Sequence, residues 1–210
     1  MKRILSREKL HYWGYSLIHP FDGFFEIRFR NQGSLLLACL LLAAYGVLQC
    51  LKYQYTGFVM NTSDPAMMDS VSIFIRSVSI FLLASVSNWT ITTLFNGKGK
   101  LKDIFVVLCY SLTVLIIGDA LICFMSNFVT TEEIMILTSI QMLVYVWFGF
   151  LVVAGLGTIH EYSLGGNLAS ILLTIVAAFI ILFLGVLLFT MLERMVNFFI
   201  DVGEELMRRL

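Results

Sequence analysis

Arg76 and Asp119 are isolated charges inside long apolar runs, and either one alone at the centre of a bilayer costs roughly 2.5 to 3.5 kcal/mol on insertion scales. Arg76 lies about six residues from one end of its run and Asp119 about eight from the matching end of its own, depths of roughly 9 and 12 Å at a helical rise of about 1.5 Å. The matched depths point to an ion pair, with Gln141 of a third apolar run at the same level to complete a polar layer; the alternative is that Arg76 snorkels outward alone. A helix-packing clamp fits that layer better than a conduit, because paired charges need no water path. Ser85, Ser87, Asn88, Thr90, Thr92 and Thr93 form a second polar cluster, whose hydroxyls are expected to bond carbonyls one turn back rather than line a channel. His160 and Glu161 have the chemistry of a proton relay, yet no third polar group stands near them in the sequence, and a solvated loop is the expectation.

Other chemistries are excluded by spacing. Gly97-Lys98-Gly99-Lys100 lacks both the spacing and the hydroxyl of a phosphate loop, and the chain has no H-E-x-x-H, no G-x-S-x-G and no acidic pair set for glycoside hydrolysis. Cys39, Cys50, Cys109 and Cys123 lie in apolar runs without C-x-x-C spacing, so neither a zinc site nor a redox motif is expected, and the thiols read as small buried hydrophobes. Cys50 and Cys123 sit near matching ends of their runs, but a bridge requires Cα atoms within about 7 Å, and free thiols are the expectation. The reading is therefore of a protein that is not an enzyme and holds no cofactor or metal.

The elements that position these residues are membrane spans. Hydrophobic residues make up 59% of the 210 and charged residues only 13%, and the mean hydropathy is +0.90, against about 25% charged residues in soluble domains. The fold class expected is all-α, an integral membrane bundle of five transmembrane helices over residues 33–191: Gly33 to Leu51, Val71 to Phe95, Ile104 to Asn127, Ile134 to Ile159 and Leu168 to Met191. The formal net charge is zero, but its distribution is uneven: six of the fourteen basic residues lie in Met1 to Asn31 and three more are Lys98, Lys100 and Lys102. A short lysine-rich loop between two spans stays cytoplasmic, which places the amino end inside and the segment Lys52 to Asp69 outside. That outer segment contains the acceptor pattern Asn61-Thr62-Ser63, meaningful only in a eukaryotic secretory pathway. The second pattern, Asn88-Trp89-Thr90, falls within a span. No basic soluble face exists for a nucleic acid.

Residues 1–32 form a cytoplasmic, interfacial segment. Ile4, Leu5, Tyr12, Trp13, Leu17 and Ile18 alternate with Lys2, Arg3, Arg7 and Lys9, a mixture suited to the headgroup surface. Pro20 starts a second helix with Phe21, Phe24, Phe25 and Phe29 on or near one face, read as a lipid anchor in preference to a docking surface for a soluble partner. The acidic Thr130 to Glu133 turn is expected at the positive end of the fourth span, Gly149, Ala154, Gly155 and Gly157 are expected to permit close helix approach, and Gly165-Gly166 is assigned to the second cytoplasmic loop with His160 and Glu161. The fifth span passes without a breaker into residues 192–210, an amphipathic helix in which Leu192, Met195, Phe199, Val202 and Leu206 share a face and Glu204–Arg208 and Glu205–Arg209 are four apart.

The segments HPFDGFFEIRFRNQGS and SNWTITTLFNGKGKLKDIFVVLCYSL resemble the bacterial branch of the Yip domain family, multipass proteins named for interaction with Ypt/Rab GTPases. Asn88, Trp89, Thr92, Leu94, Gly97 and Gly99 occupy the positions of the family's N-W-x-[ILV]-T-x-L-x-x-G-x-[GA] hairpin, and Tyr110 and Ser111 lie in its later C/G-Y-[SA] sequence. The resemblance covers residues 19–190 and implies five spans behind an N-terminal cytosolic segment. The eukaryotic D-L-Y-G-P and G-Y-G patterns do not occur as such, so a Rab-type GTPase is not an expected partner. The resemblance implies a plasma-membrane protein of bacterial type that binds or organises other membrane proteins, in a trafficking-like role or as an accessory to a membrane transport complex, or that associates with itself. The competing class is a small transporter or channel using the intramembrane polar residues, against which the sequence shows no inverted repeat and one candidate discontinuity, near Gly118.

Five crossings place the two ends of the chain on opposite sides. Reporter fusions at Leu210 and within Lys98 to Lys102 are expected to give opposite signals, the lysine loop cytoplasmic; a cytoplasmic carboxyl end would mean an even number of crossings.

Overall fold

The computed structural model describes residues 7–30, 32–61, 68–95 and 97–209, with the side chains of Arg7, Glu8 and Arg209 excepted. Lys2, Arg3, Ile4, Leu5, Thr62, Ser63 and Asn96 lie outside the described residues. All regular structure among those described is helical: α1 (Arg7–Ile18), α2 (Pro20–Phe29), α3 (Leu35–Tyr55), α4 (Ser70–Leu94), α5 (Leu101–Met125), α6 (Ile134–His160) and α7 (Leu164–Arg209). Five of these, α3 to α7, are long and apolar enough to cross a membrane. The helix ends follow local chemistry: Asp69 caps α4 by accepting from the N–H groups of Val71 and Ser72 at 3.1 and 3.2 Å, and the Ser34 hydroxyl accepts from Leu37 N–H at the start of α3.

The axis of the bundle is α5, whose residues Ile104 to Thr113 are buried except for a half-buried Phe105. Helices α3, α4 and α6 pack around it, and α7 lies outside against α4 and α6. Close approach of α6 is allowed by Gly118, where an added Cβ would stand 2.5 and 2.7 Å from the two methyl carbons of Val144. Gly118 thus marks a helix contact, and α5 runs through it unbroken.

The amino-terminal helices form where the sequence places them, and the structure adds their seat. On α2 the buried stripe is Pro20, Gly23, Phe24 and Ile27, the i, i+3, i+4, i+7 spacing of one helical face. Phe24 and Ile27 enter the main core with Val106, Val107 and Tyr110, while Phe21, Phe25 and Phe29 face outward. Trp13, expected among the surface-anchoring aromatics, is instead partly buried, and its indole N–H donates to the Thr113 hydroxyl at 2.9 Å. Thr113 lies twelve residues, roughly 18 Å, along α5, so α1 reaches well into the bundle.

Two boundaries move. Helix α3 continues through Tyr55, bringing Lys52 into the bundle, and Gly165 and Gly166 belong to the first turn of α7 rather than to a loop. The fifth span and the carboxyl-terminal helix are one continuous element. Of the cysteines, all free, Cys109 is buried, Cys50 and Cys123 are half-buried and Cys39 lies on an exposed face, so only Cys109 fills the expected core role.

Gly118→Ala is expected to destabilise the protein in detergent by about 1–3 kcal/mol through overpacking, with part of the loss recovered by adding Val144→Ala. Thermal melts of the two single variants and the double variant measure this.

Candidate functional site

Polar side chains gather at both ends of the bundle. At the lysine-loop end, Asn88 of α4 and His160 of α6 are almost fully buried. The Gly99 N–H can only donate, so the bond of 3.3 Å to His160 makes Nδ1 the acceptor and puts the proton on Nε2. Nε2 then donates to Asn88 Oδ1 at 3.3 Å, and the Asn88 amide donates to Thr174 Oγ1 of α7 at 2.9 Å. One chain of hydrogen bonds therefore joins the α4–α5 loop, α6, α4 and α7. Gly97 and Gly99 are required by this closeness: a Cβ on Gly97 would stand 2.8 Å from His160 Nδ1, and one on Gly99 would stand 2.6 Å from Cε1 of the same ring.

Around that core sits a charge cluster. Glu161 ends α6 in the left-handed region (φ 57°) and accepts from Lys98 Nζ at 2.5 Å and from Arg28 of α2 at 3.2 Å. Arg28 also donates to the carbonyls of Ile159 and Lys98. The hydrogen bond from Lys98, followed by the charges of Lys98 and Arg28, holds the Glu161 carboxyl below the usual glutamate value. A depressed carboxylate contributes its stabilisation above the ordinary value and loses it as pH falls through the lower folded one. The expected solvated loop is corrected: His160 is enclosed, and Glu161 is the pivot fastening α2 to the lysine loop. Of the other hairpin residues, Thr92 is buried and bonds the Asn88 carbonyl at 2.7 Å, Trp89 faces outward, and Lys100 and Lys102 are exposed. Ser85, Thr90 and Thr93 likewise bond carbonyls four residues back, while the buried Ser87 hydroxyl has no partner among the described residues.

At the opposite end Asp119 is enclosed, its side chain 1% exposed, and both oxygens are used. Lys52 Nζ lies 3.1 Å from Oδ1, and Gln49 Nε2 donates to Oδ2 at 3.1 Å. The Arg76–Asp119 pair is thereby corrected: Lys52 and Gln49 project from α3, which packs along α5, and together saturate the carboxylate. Gln141 bonds the Tyr145 hydroxyl one turn along its own helix at 2.9 Å and takes no part in a layer with Asp119. The sequence signal missed was Gln49-x-x-Lys52, two polar residues on one face at the end of an apolar run. Arg76 is exposed and forms no ion pair with any described residue, yet it lines an open cavity of about 450 Å³ together with Gln49, Lys52 and Tyr45. Among the described residues no group of His, Cys, Asp and Glu is placed to hold a metal ion.

Loss of the Asp119 partner strands a buried charge at a cost of about 3–5 kcal/mol in closed sites. Lys52→Met is therefore expected to be strongly destabilising, and Asp119→Asn with Lys52→Met to be less so than the sum of the two. Arg76→Gln, which breaks no ion pair with a described residue, is expected to change stability by less than about 0.5 kcal/mol. Melts in lipid-free detergent check the cycle and the single variant.

Residues 14–187, most of the chain, match the Yip1 domain. No curated protein and no solved structure matches the chain. The chain belongs to the Yip1 domain family, and with its five apolar helices it is an integral membrane protein.

Proposed function

We propose that this Yip1-domain protein is a non-enzymatic organiser of other membrane proteins, and that α7 is the surface through which it binds them. The observation that carries the reading is the length and isolation of this helix. At 46 residues it extends roughly 69 Å, more than twice the roughly 30 Å of a hydrocarbon core. Beyond Ile181 every described side chain of α7 is exposed. The part that outruns the bilayer still carries Leu192, Met195, Phe199, Val202 and Leu206 along one face, with Glu193, Arg194, Asp201 and Glu204 elsewhere on the helix. An apolar stripe on a helix that leaves its own bundle is a helix-pairing surface, and its mixed charges fit a protein partner better than an anionic lipid surface, which selects for cations.

In this reading the protein resides in a bacterial plasma membrane, with its amino end and lysine loop cytoplasmic and the free part of α7 outside. Neither a catalytic group nor a cofactor enters its action. A photo-crosslinker at Phe199 is expected to label one stoichiometric membrane-protein partner in intact membranes, and Met195→Glu with Phe199→Glu to abolish its co-purification. Crosslinks confined to lipid or to a second copy of this chain would overturn the partner reading, as would solute flux by the purified protein in liposomes.

A further inference from the structure

We propose that the cavity between α3 and α4 binds the phosphate of an anionic phospholipid from the leaflet at the α3–α4 loop end, with Arg76 as its principal ligand. The cavity has about 450 Å³ of space, within the range of small-molecule sites, and opens on its lining residues Gln49, Lys52, Arg76, Tyr53, Ile80 and Phe81.

Charge selects an anion. Lys52 is committed to Asp119 at 3.1 Å, so the two cancel and the guanidinium of Arg76 is the surplus charge among the described lining residues. Asp69, the acid nearest to Arg76 along α4, is occupied in capping that helix through Val71 and Ser72. A guanidinium presents five N–H donors in a planar fork that matches phosphate oxygens in pairs, and Arg76 spends none of them on a described residue.

Depth and lining select a lipid. Arg76 lies six residues, roughly 9 Å, into α4, and a helix of 25 residues is roughly 37 Å long against about 30 Å of hydrocarbon. The side chain can therefore extend toward the helix end to the level of the headgroups. Lys52, three residues from the end of α3, lies nearer the surface, so the two cations mark one polar band. Ile73, Ile80 and Phe81 form the apolar part of the lining, and Ile80 is exposed on the outside of the helix pair, giving glycerol and acyl carbons a surface continuous with the bilayer. A freely soluble anion would leave that apolar wall uncovered.

The test is native mass spectrometry and thermal melting of the full chain, delipidated and then supplied with dioleoylphosphatidylglycerol, dioleoylphosphatidylcholine or inorganic phosphate. Wild type is expected to retain one phosphatidylglycerol at least tenfold more tightly than phosphatidylcholine and to melt higher with it. Arg76→Gln is expected to lose the preference and Arg76→Lys to keep part of it. Ile80→Trp, which fills the apolar wall without touching the charge, is expected to weaken lipid retention, and circular dichroism of each variant checks that it folds. Equal retention of the two lipids by wild type, or an unchanged preference in Arg76→Gln, would overturn the proposal. Stabilisation by inorganic phosphate to the same extent as by phosphatidylglycerol would overturn the lipid as its source.

Discussion

A polar group inside hydrocarbon must find its partner within the protein, and in this chain that requirement falls mainly on α5. Three of its polar side chains each draw in a different part of the molecule. Asp119 takes Lys52 and Gln49 from α3, Thr113 takes the Trp13 indole from α1, and the Tyr110 hydroxyl accepts from the Ser34 N–H at 3.0 Å, which fixes the entry to α3. Apolar contact alone distinguishes poorly between helices when lipid is equally apolar, so directional bonds of this kind decide which helix lies where. Close packing then completes the arrangement, as at Gly118 against Val144.

The lysine-loop end shows how a family motif can be structural. Asn88 and Gly99 are held together by a single neutral imidazole, with Gly97 packed close to the same ring, and the tautomer is dictated by a backbone N–H that can only donate. A second proton on His160 would set donor against donor at Gly99. The Glu161 cluster adds a tie of another kind: Arg28 comes from α2, so the amino-terminal helices are fastened both by the Phe24 and Ile27 contacts and by charge. Lys98, the first lysine of a loop whose charge signals topology, is also a ligand of that cluster.

The spans were legible because a run of twenty apolar residues has few alternatives, and the hairpin because its residues are unusual at that spacing. The partner of Asp119 was not. Depth along a helix can be read from sequence, but azimuth cannot, and Arg76 and Asp119 at matched depths point to different neighbours. A span that ends at the first charge leaves Lys52 outside α3, whereas a lysine with a buried counter-ion extends a helix rather than ending it. The enclosure of His160 is invisible locally because its partners, Gly99 and Asn88, are 61 and 72 residues away. On α2 all the phenylalanines looked equivalent until the glycine and proline at 23 and 20 defined which face could approach the bundle.

The two ends of the molecule differ in what they leave unsatisfied, and this bears on where partners act. At the lysine-loop end the buried polar groups and Glu161 are paired internally, apart from the Ser87 hydroxyl; what remains outward is Lys100 and Lys102 on the loop. Cations so placed are sufficient for an anionic surface but offer little shape for a specific protein. At the other end Arg76 stands beside an open cavity without an ion pair to any described residue, and α7, antiparallel to α4 through the Asn88–Thr174 contact near its start, continues past the bundle. An unfilled guanidinium and an uncovered apolar stripe each carry a free-energy cost that a ligand or partner removes, whereas a closed hydrogen-bond network has nothing further to gain. Recognition is therefore expected to concentrate at the α3–α4 loop end and along α7, with the lysine-loop end serving to hold the five spans and the amino-terminal helices in register.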